Sequence, residues 1–325
     1  MKIEDAEALL TRAFAASNVS EANAAATARA LVAAEADGQG GHGFSRVSSY
    51  AAQAKSGKVD GHATPVTAKT APAWLEVDAA NGFAFPAIDA ALEALIPLAR
   101  ETGLAGAAIR SSHHCGALAN HVERLAEAGL VSLMLANTPK AMAPWGGDAA
   151  LFGTNPIGFA APRAGAPLVI DLSLSKVARG KVMAAAKKGE PIPEGWALDA
   201  DGNPTTDPQA ALKGAMIPAG DAKGAALALM VEILAATLTG ANHSSEATSF
   251  FDAEGAPPGV GQLILAFRPG AGFAARLEQL IGEIEAQDGA RLPGARRLAA
   301  RNKARSEGLT VPDHLRAEID ALIGA

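Results

Sequence analysis

The sequence predicts an α/β fold: a central mixed sheet flanked by an N-terminal and a C-terminal helical part. Three observations lead there. Short apolar runs bounded by Gly, Pro and Asp, the signature of strands, fall in the middle of the chain, between Trp74 and Phe267. Helical spacing dominates before and after them. The 325 residues are 49% hydrophobic but only 4% aromatic, so a sizeable core is available and its abundant alanine suits closely packed helices.

Residues 3–16 read as an amphipathic helix, with Ile3, Ala6, Leu9, Leu10 and Phe14 near helical spacing. Ser20 is a candidate N-cap for a second helix reaching about Asp37. Gly38 to Gly43 breaks it, and a further helix starts near Phe44 and carries Ser45, Arg46 and Tyr50 towards Lys55. Gly57 to Pro72 is expected as loop and extended chain, and Trp74–Asp78 as a short strand. Pro86 can open a helix to about Thr102. Leu104–Arg110 is a strand ending at Ser111–Gly116, followed by a helix from about Ala117 to Ala128 and a strand over Leu130–Ala136. Ile157–Ala161 and Leu168–Leu172 are strand-like, and Ser175–Lys187 is a helix with a basic C-terminal half. Residues 189–220, rich in Gly, Pro and Asp, are expected as a long ordered loop. Ala222–Thr239 is a strongly apolar helix expected to be buried. Gln262–Phe267 is a late strand, and the helices 272–286, 296–307 and 313–323 close the chain. No boundary is clean enough to separate independent domains, so 1–325 is taken as one unit, with parts 1–70, 71–270 and 271–325.

The totals narrow the partners. A formal net charge of −6 argues against nucleic acid. No apolar run reaches the roughly 20 residues that span a bilayer, so no membrane partner is expected. The lone Cys115 excludes an internal disulfide and fits a reducing compartment. The N-terminal MKIEDAEALLTRAF carries early acids and no apolar signal core, so a cytoplasmic location is expected.

Several stretches have no packing use. Gly40-Gly41-His42-Gly43-Phe44-Ser45-Arg46 sets a proton-transferring histidine among glycines, one helical turn from an arginine whose donor fork matches a carboxylate. Ser111-Ser112-His113-His114-Cys115-Gly116 lies where a strand turns into a helix, where ligands collect in open sheets and where free N–H groups attract phosphate. Its three adjacent metal-binding types do not converge on one tetrahedral ion and no second Cys cluster exists, so no metal is expected. Gly153-Thr154-Asn155-Pro156 reads either as a plain turn or as a contact for a substrate carboxylate. Asp171-Leu172-Ser173 sits at another strand end. Arg179-Gly180-Lys181, Lys223-Gly224 and the Arg291–Arg297 turn are phosphate candidates, with a solvated surface as the alternative. A Rossmann GxGxxG, a P-loop and a GxSxG elbow are all absent.

Together these pieces resemble the malate/L-lactate dehydrogenase family of NAD(P)-dependent oxidoreductases, which is unrelated to the Rossmann-type dehydrogenases. The resemblance rests on Gly41-His42-Gly43 with Arg46, Ser112–Gly116, Ala143-Pro144-Trp145-Gly146-Gly147, Gly153–Pro156, Asp171 with Ser175 and Arg179–Lys181, Lys223-Gly224, and Leu292-Pro293-Gly294, in that order. Within the family the chain is similar to the Δ1-pyrroline-2-carboxylate and Δ1-piperideine-2-carboxylate reductases, through Ala143–Gly147 and Ser249-Phe250-Phe251-Asp252. The resemblance implies a homodimer, an active site near its interface, and NADPH or NADH bound on the mixed sheet outside the Rossmann scheme. By the same match His42 is the proton donor, and Arg46 and Thr154 hold the substrate carboxylate. His114, Cys115, Gly116, Ala117, Leu118, Asp171, Leu172, Ser173, Arg179, Gly180, Lys181, Lys223, Gly224, Arg291, Leu292, Pro293, Gly294, Arg296 and Arg297 line the cofactor. The expected reaction is reduction of a cyclic imine carboxylate. The alternatives are a 2-hydroxyacid dehydrogenase (malate, lactate, sulfolactate or ureidoglycolate) acting on a keto acid, and, in another class, a non-catalytic metal or anion binder. Two positions depart from the piperideine reductase pattern: Gly41 stands where a serine precedes the histidine, and Lys181 where an aspartate completes a relay.

Overall fold

A computed structural model describes residues 1–324 and centres on a seven-stranded sheet. Its strands are β1 (Val66–Ala71), β2 (Trp74–Asp78), β3 (Leu104–Ser112), β4 (Val131–Ala136), β5 (Ile157–Ala161), β6 (Leu168–Leu172) and β10 (Val260–Phe267), in the order β1-β2-β3-β10-β4-β5-β6. Only β2 and β3 run parallel; every other neighbouring pair is antiparallel. The sheet is therefore mixed, as expected.

Both faces of its centre are covered, which is why Leu263–Phe267 of β10 reads as an unbroken apolar run. Ile264 and Ala266 pack towards α4 (Ala84–Thr102) and α5 (Leu118–Glu127), while Leu263 and Leu265 pack towards α8 (Ala222–Glu232). A separate core joins α1 (Ile3–Ala15), α2 (Glu21–Ala36) and α3 (Val47–Ser56) to the last two helices, α10 (Ala295–Glu307) and α11 (Asp313–Leu322). The two ends of the chain thus form one helical layer, tied at Met1, whose N–H and C=O both pair with Leu309.

The register sets the site. Ser112 faces Val260, Gln262 faces Ala136, Leu135 faces Ile157, and Ile157 faces Leu172. The ends of β3, β4 and β6 and the starts of β5 and β10 therefore line up along one edge.

Four expectations change or sharpen. Within the stretch expected as loop and extended chain, residues 66–71 form a defined strand: β1 is an edge strand exposed along its whole length, so it carries no apolar alternation to read. The expected loop 189–220 contains a small sheet of β7 (Ala197–Leu198), β8 (Pro204–Thr205) and β9 (Ala215–Met216), with α7 (Pro208–Lys213) capped by Asp207. The helix expected from Ser175 begins at Arg179 and runs to Lys188 (α6), because Ser175 bridges to Pro218. The helix from Ala222 passes into a π-turn at Ile233–Thr237 and is buried on one side only: Leu227, Leu229, Met230, Ile233 and Leu238 are each at least 40% exposed. No helix of the described residues is long and apolar enough to cross a membrane.

Candidate active site

The Gly-His-Gly stretch forms two 3₁₀ turns, Gly40–His42 and Phe44–Arg46, at the entry to α3. Glu35 of α2 holds this loop by accepting the Phe44 N–H at 2.9 Å. That contact explains one glycine: a Cβ at Gly43 would sit 2.1 Å from the same carboxylate oxygen, whereas one at Gly41 would meet nothing. Arg46 folds back on the loop, its Nε donating to the Gly41 carbonyl at 2.7 Å. The Phe251 ring covers the guanidinium at 4.6 Å, a cation–π contact. One Arg46 terminal nitrogen is buried without a partner, a donor free for a carboxylate.

His42 stacks on His114, with ring centroids 5.3 Å apart and planes at 14°. The Tyr50 hydroxyl hydrogen-bonds His114 Nδ1. His113, buried behind them, pairs through Nε2 with Gln53 Oε1 at 3.0 Å. The Gln53 amide also donates to the Phe250 carbonyl at 2.9 Å, and buried Lys58 donates to Ser249 O at 2.8 Å and Asp252 Oδ1 at 2.9 Å. Residues 249–252 are thereby strapped over the histidines. Burial first, and the Arg46 charge second, lower His42 to about 4. His113 falls to about 3 for the same two reasons. Both rings are neutral at pH 7, so His42 is a ready base. A carboxylate on Arg46 would offset the second of these causes and so favour the protonated ring, while burial continues to oppose it.

Thr154 lies on the same sheet edge. Its N–H donates to Thr138 Oγ1 at 3.0 Å, just past β4. The next residue, Asn155, holds a φ of 38° and is pinned by donating to Ala228 O at 2.9 Å and to Glu232 Oε2 at 2.8 Å. Glu232 also takes both the N–H and the hydroxyl of Ser244, so its buried charge is satisfied. Leu174 N–H donates to Thr154 O, Ala219 N–H donates to Leu174 O, and Gly224 packs where a Cβ would strike Ala219 O at 2.0 Å. Thr154, the segment Ser173–Ser175 and Gly224 are in this way neighbours.

The other expected cofactor residues divide between this edge and the far end of β5 and β6, where Ala161 faces Leu168. Gly116 turns the loop at a φ of 67°, while the Cys115, Ala117 and Leu118 side chains point into the core, so only their backbone can face a ligand. Asp171 Oδ2 accepts the Ala119 N–H at 2.9 Å, so a carboxylate takes up one of the free N–H groups at the α5 N-terminus. Leu172 is exposed, and the Ser173 and Ser175 hydroxyls pair at 3.1 Å. Arg179 donates to the Leu212 carbonyl at 3.1 Å, bracing α6 on α7. Gly180, Lys181 and Lys223 are exposed. Arg291, Leu292 and Pro293 line a cleft of about 420 Å³ with Arg163, which the sequence did not single out. The Gly294 turn abuts Val169 of β6, and Arg296 is exposed. Arg297 faces inward instead, onto Asp37 and Glu123 at 2.8–2.9 Å.

The malate/L-lactate dehydrogenase family signature matches residues 1–320. The chain belongs to that family. Over 99% of its length, and 97% of the relative's, it is 54% identical to the (2R)-3-sulfolactate dehydrogenase (NADP(+)) of Chromohalobacter salexigens. It is 43% identical to the Δ1-pyrroline-2-carboxylate/Δ1-piperideine-2-carboxylate reductase of Pseudomonas putida, over 98% of this chain and 95% of that one. The crystal structure of the Δ1-piperideine-2-carboxylate reductase of Pseudomonas syringae superposes with a TM-score of 0.94 at 41% identity, covering 99% of both chains. This malate/L-lactate dehydrogenase family member is thus an oxidoreductase whose sheet edge carries a histidine–arginine cluster. Tyr50, Gln53, Lys58 and Glu35, which build that cluster from behind, were not singled out from sequence; the one available signal was Tyr50, the sole tyrosine, one turn beyond Arg46.

Proposed function

We propose that the chain reduces a double bond at the carbon next to a carboxylate, using NADPH or NADH. The observation that carries this is the pairing of a buried, partner-free Arg46 nitrogen with the stacked His42. Arg46 and Thr154 bind the carboxylate, and His42 gives the proton that the reduced atom needs. The nicotinamide supplies the hydride. Of the residues expected to hold such a cofactor, Arg291 lines a cleft with an exposed guanidinium that suits a phosphate, while Arg163 beside it is already paired with Glu278. Orientation of the reactants is the main device, and the chain's groups form no covalent intermediate.

Two substrate readings share this chemistry. A cyclic imine carboxylate is supported by the reductase relatives and the near-complete superposition. A 2-oxo/2-hydroxy acid with a second anionic group, as in sulfolactate, is supported by the 54% identity and by the departures at Gly41 and Lys181. Lys181 stands where the reductase pattern completes its relay with an aspartate, so that acid is missing here. These observations give the hydroxyacid reading the greater weight. The exposed apolar residues of α8 and its π-turn suit a second copy, so a homodimer is part of the proposal.

The test is NADPH and NADH oxidation with pyrroline-2-carboxylate, piperideine-2-carboxylate, 3-sulfopyruvate, pyruvate and oxaloacetate. Sulfopyruvate turnover well above the imines establishes the second reading, and imine turnover alone establishes the first. Inactivity on all five defeats the proposal.

A further inference from the structure

Tyr50 is fully buried and has one hydroxyl hydrogen, and His114 Nδ1 is its hydrogen-bond partner. A phenol that only accepted there would leave its O–H unpaired in the core, which is unfavourable. Donation satisfies both atoms. Nδ1 then carries no hydrogen, and Nε2 carries one. We propose that Tyr50 is a positioning residue that locks His114 in the neutral Nε2–H tautomer and so keeps an uncharged ring stacked on His42. This rests on the reading of His42 as the proton-transferring residue.

The surroundings explain why the lock matters. The groups around His114 are Arg46 and His42 from the glycine loop, Tyr50 from α3, His113 before it in the chain and the uncharged Phe250 ring above. Lys58 lies beyond, facing His113, and Asp171 faces Cys115. Among the described residues, the charged groups beside the pair are Arg46 and the neighbouring histidines, with no carboxylate paired to either ring. Two imidazoles stacked at 5.3 Å beside one arginine cannot both be charged without strong repulsion. A proton on His114 must go to Nδ1, where it would confront the Tyr50 O–H. The single proton of the stacked pair is thereby directed to His42. His114 then presents a constant N–H donor and a constant charge while His42 cycles.

The first test reads the tautomer without any substrate. In wild-type protein labelled with ¹⁵N-histidine, long-range ¹⁵N–¹H correlations at pH 7 show His114 with a protonated Nε2 and a bare Nδ1, assigned by loss of the signal in His114→Gln. A protonated Nδ1 overturns the proposal, whatever the substrate panel shows. The second test is Tyr50→Phe, which removes only the hydroxyl, with NADPH fluorescence titration as the check that the cofactor site is intact. With the active substrate, kcat falls about tenfold while substrate KM changes little. The His42 limb of the reductive kcat–pH profile moves to lower pH, because freed Nδ1 can now take a competing proton. A variant whose kcat and pH profile match the wild type also overturns it. The tautomer spectrum stands alone if the variant does not fold, and it still decides if no substrate is turned over.

Discussion

Oδ2 of Asp171, at the end of β6, accepts the N–H of Ala119 in the first turn of α5 at 2.9 Å. A sheet strand thus caps the helix that crosses behind the site. Burial raises the Asp171 carboxyl, and the hydrogen bonds from the helix N-terminus oppose that shift. Asp171→Ala removes the cap and is expected to lower the unfolding free energy by about 1 kcal/mol, read from urea or guanidinium midpoints. Asp171→Asn keeps an acceptor and should recover most of the loss. An Ala variant as stable as wild type would show that the contact caps nothing.

Gly43 and Gly41 flank the same histidine but are held by different constraints. Gly43→Ala drives a methyl into Glu35 and breaks the Phe44–Glu35 hydrogen bond, so both stability and turnover should fall. Gly41→Ser enters open space at an ordinary φ, so melting temperature should hold while a hydroxyl appears beside His42. Comparing the two melting curves checks this; a larger drop for Gly41→Ser than for Gly43→Ala would contradict the packing described.

Arg46 presents its donor fork to the site with one edge fixed on Gly41 and its face against Phe251. Lysine keeps the charge but loses the fork and the stack. Arg46→Lys is expected to raise substrate KM by about tenfold or more, the worth of one charge-assisted hydrogen bond at about 1.5–3 kcal/mol, with NADPH affinity unchanged. Steady-state kinetics beside a cofactor titration separates these outcomes.

What the sequence made legible follows from what each element faces. Trp74–Asp78, Ile157–Ala161 and Leu168–Leu172 stand out because breakers bound short apolar runs, and the strands match residue for residue. β1 was hidden because it buries neither face. The α8 helix, apolar all round, reads as buried by the usual rule, and nothing local reveals that half of it lies open. His42, Arg46 and His114 were conspicuous as polar groups among glycines. Glu35 and Gln53 were not, because a polar residue in an alanine-rich helix looks like surface until the loop above it is in place.

His113, His114 and His121 are all buried, and burial is the first cause lowering each below its ordinary value: to about 3 for His113, to about 4 for His121, and well below for His114. The unfolded chain binds these protons near pH 6.5 and the folded chain does not. Stability is therefore complete above about pH 7 and is lost as pH falls from about 6.5 towards 4, at up to about 1.4 kcal/mol per pH unit for each histidine. Melting temperature against pH should bend downward in that window. A flat profile from pH 7 to 4.5 would mean that these rings are hydrated in the folded protein.

Arg297 and Arg301 of α10 clamp Asp37 at the end of α2 and Glu123 of α5, with contacts of 2.6–2.9 Å. Both carboxylates are buried, and the two arginines hold Glu123 below the usual carboxylate range against the opposing effect of burial. Arg297 therefore joins the terminal helices to the α5 layer, although its place in the basic turn suggested a cofactor phosphate. Arg297→Ala strands part of two buried negative charges, a change that costs about 3–5 kcal/mol where no second cation remains; with Arg301 still present, the lower end is expected. Chemical denaturation should show that loss, while NADPH affinity of the folded variant stays close to wild type. A variant of normal stability with greatly weakened cofactor binding would place the Arg297 charge at the phosphate after all.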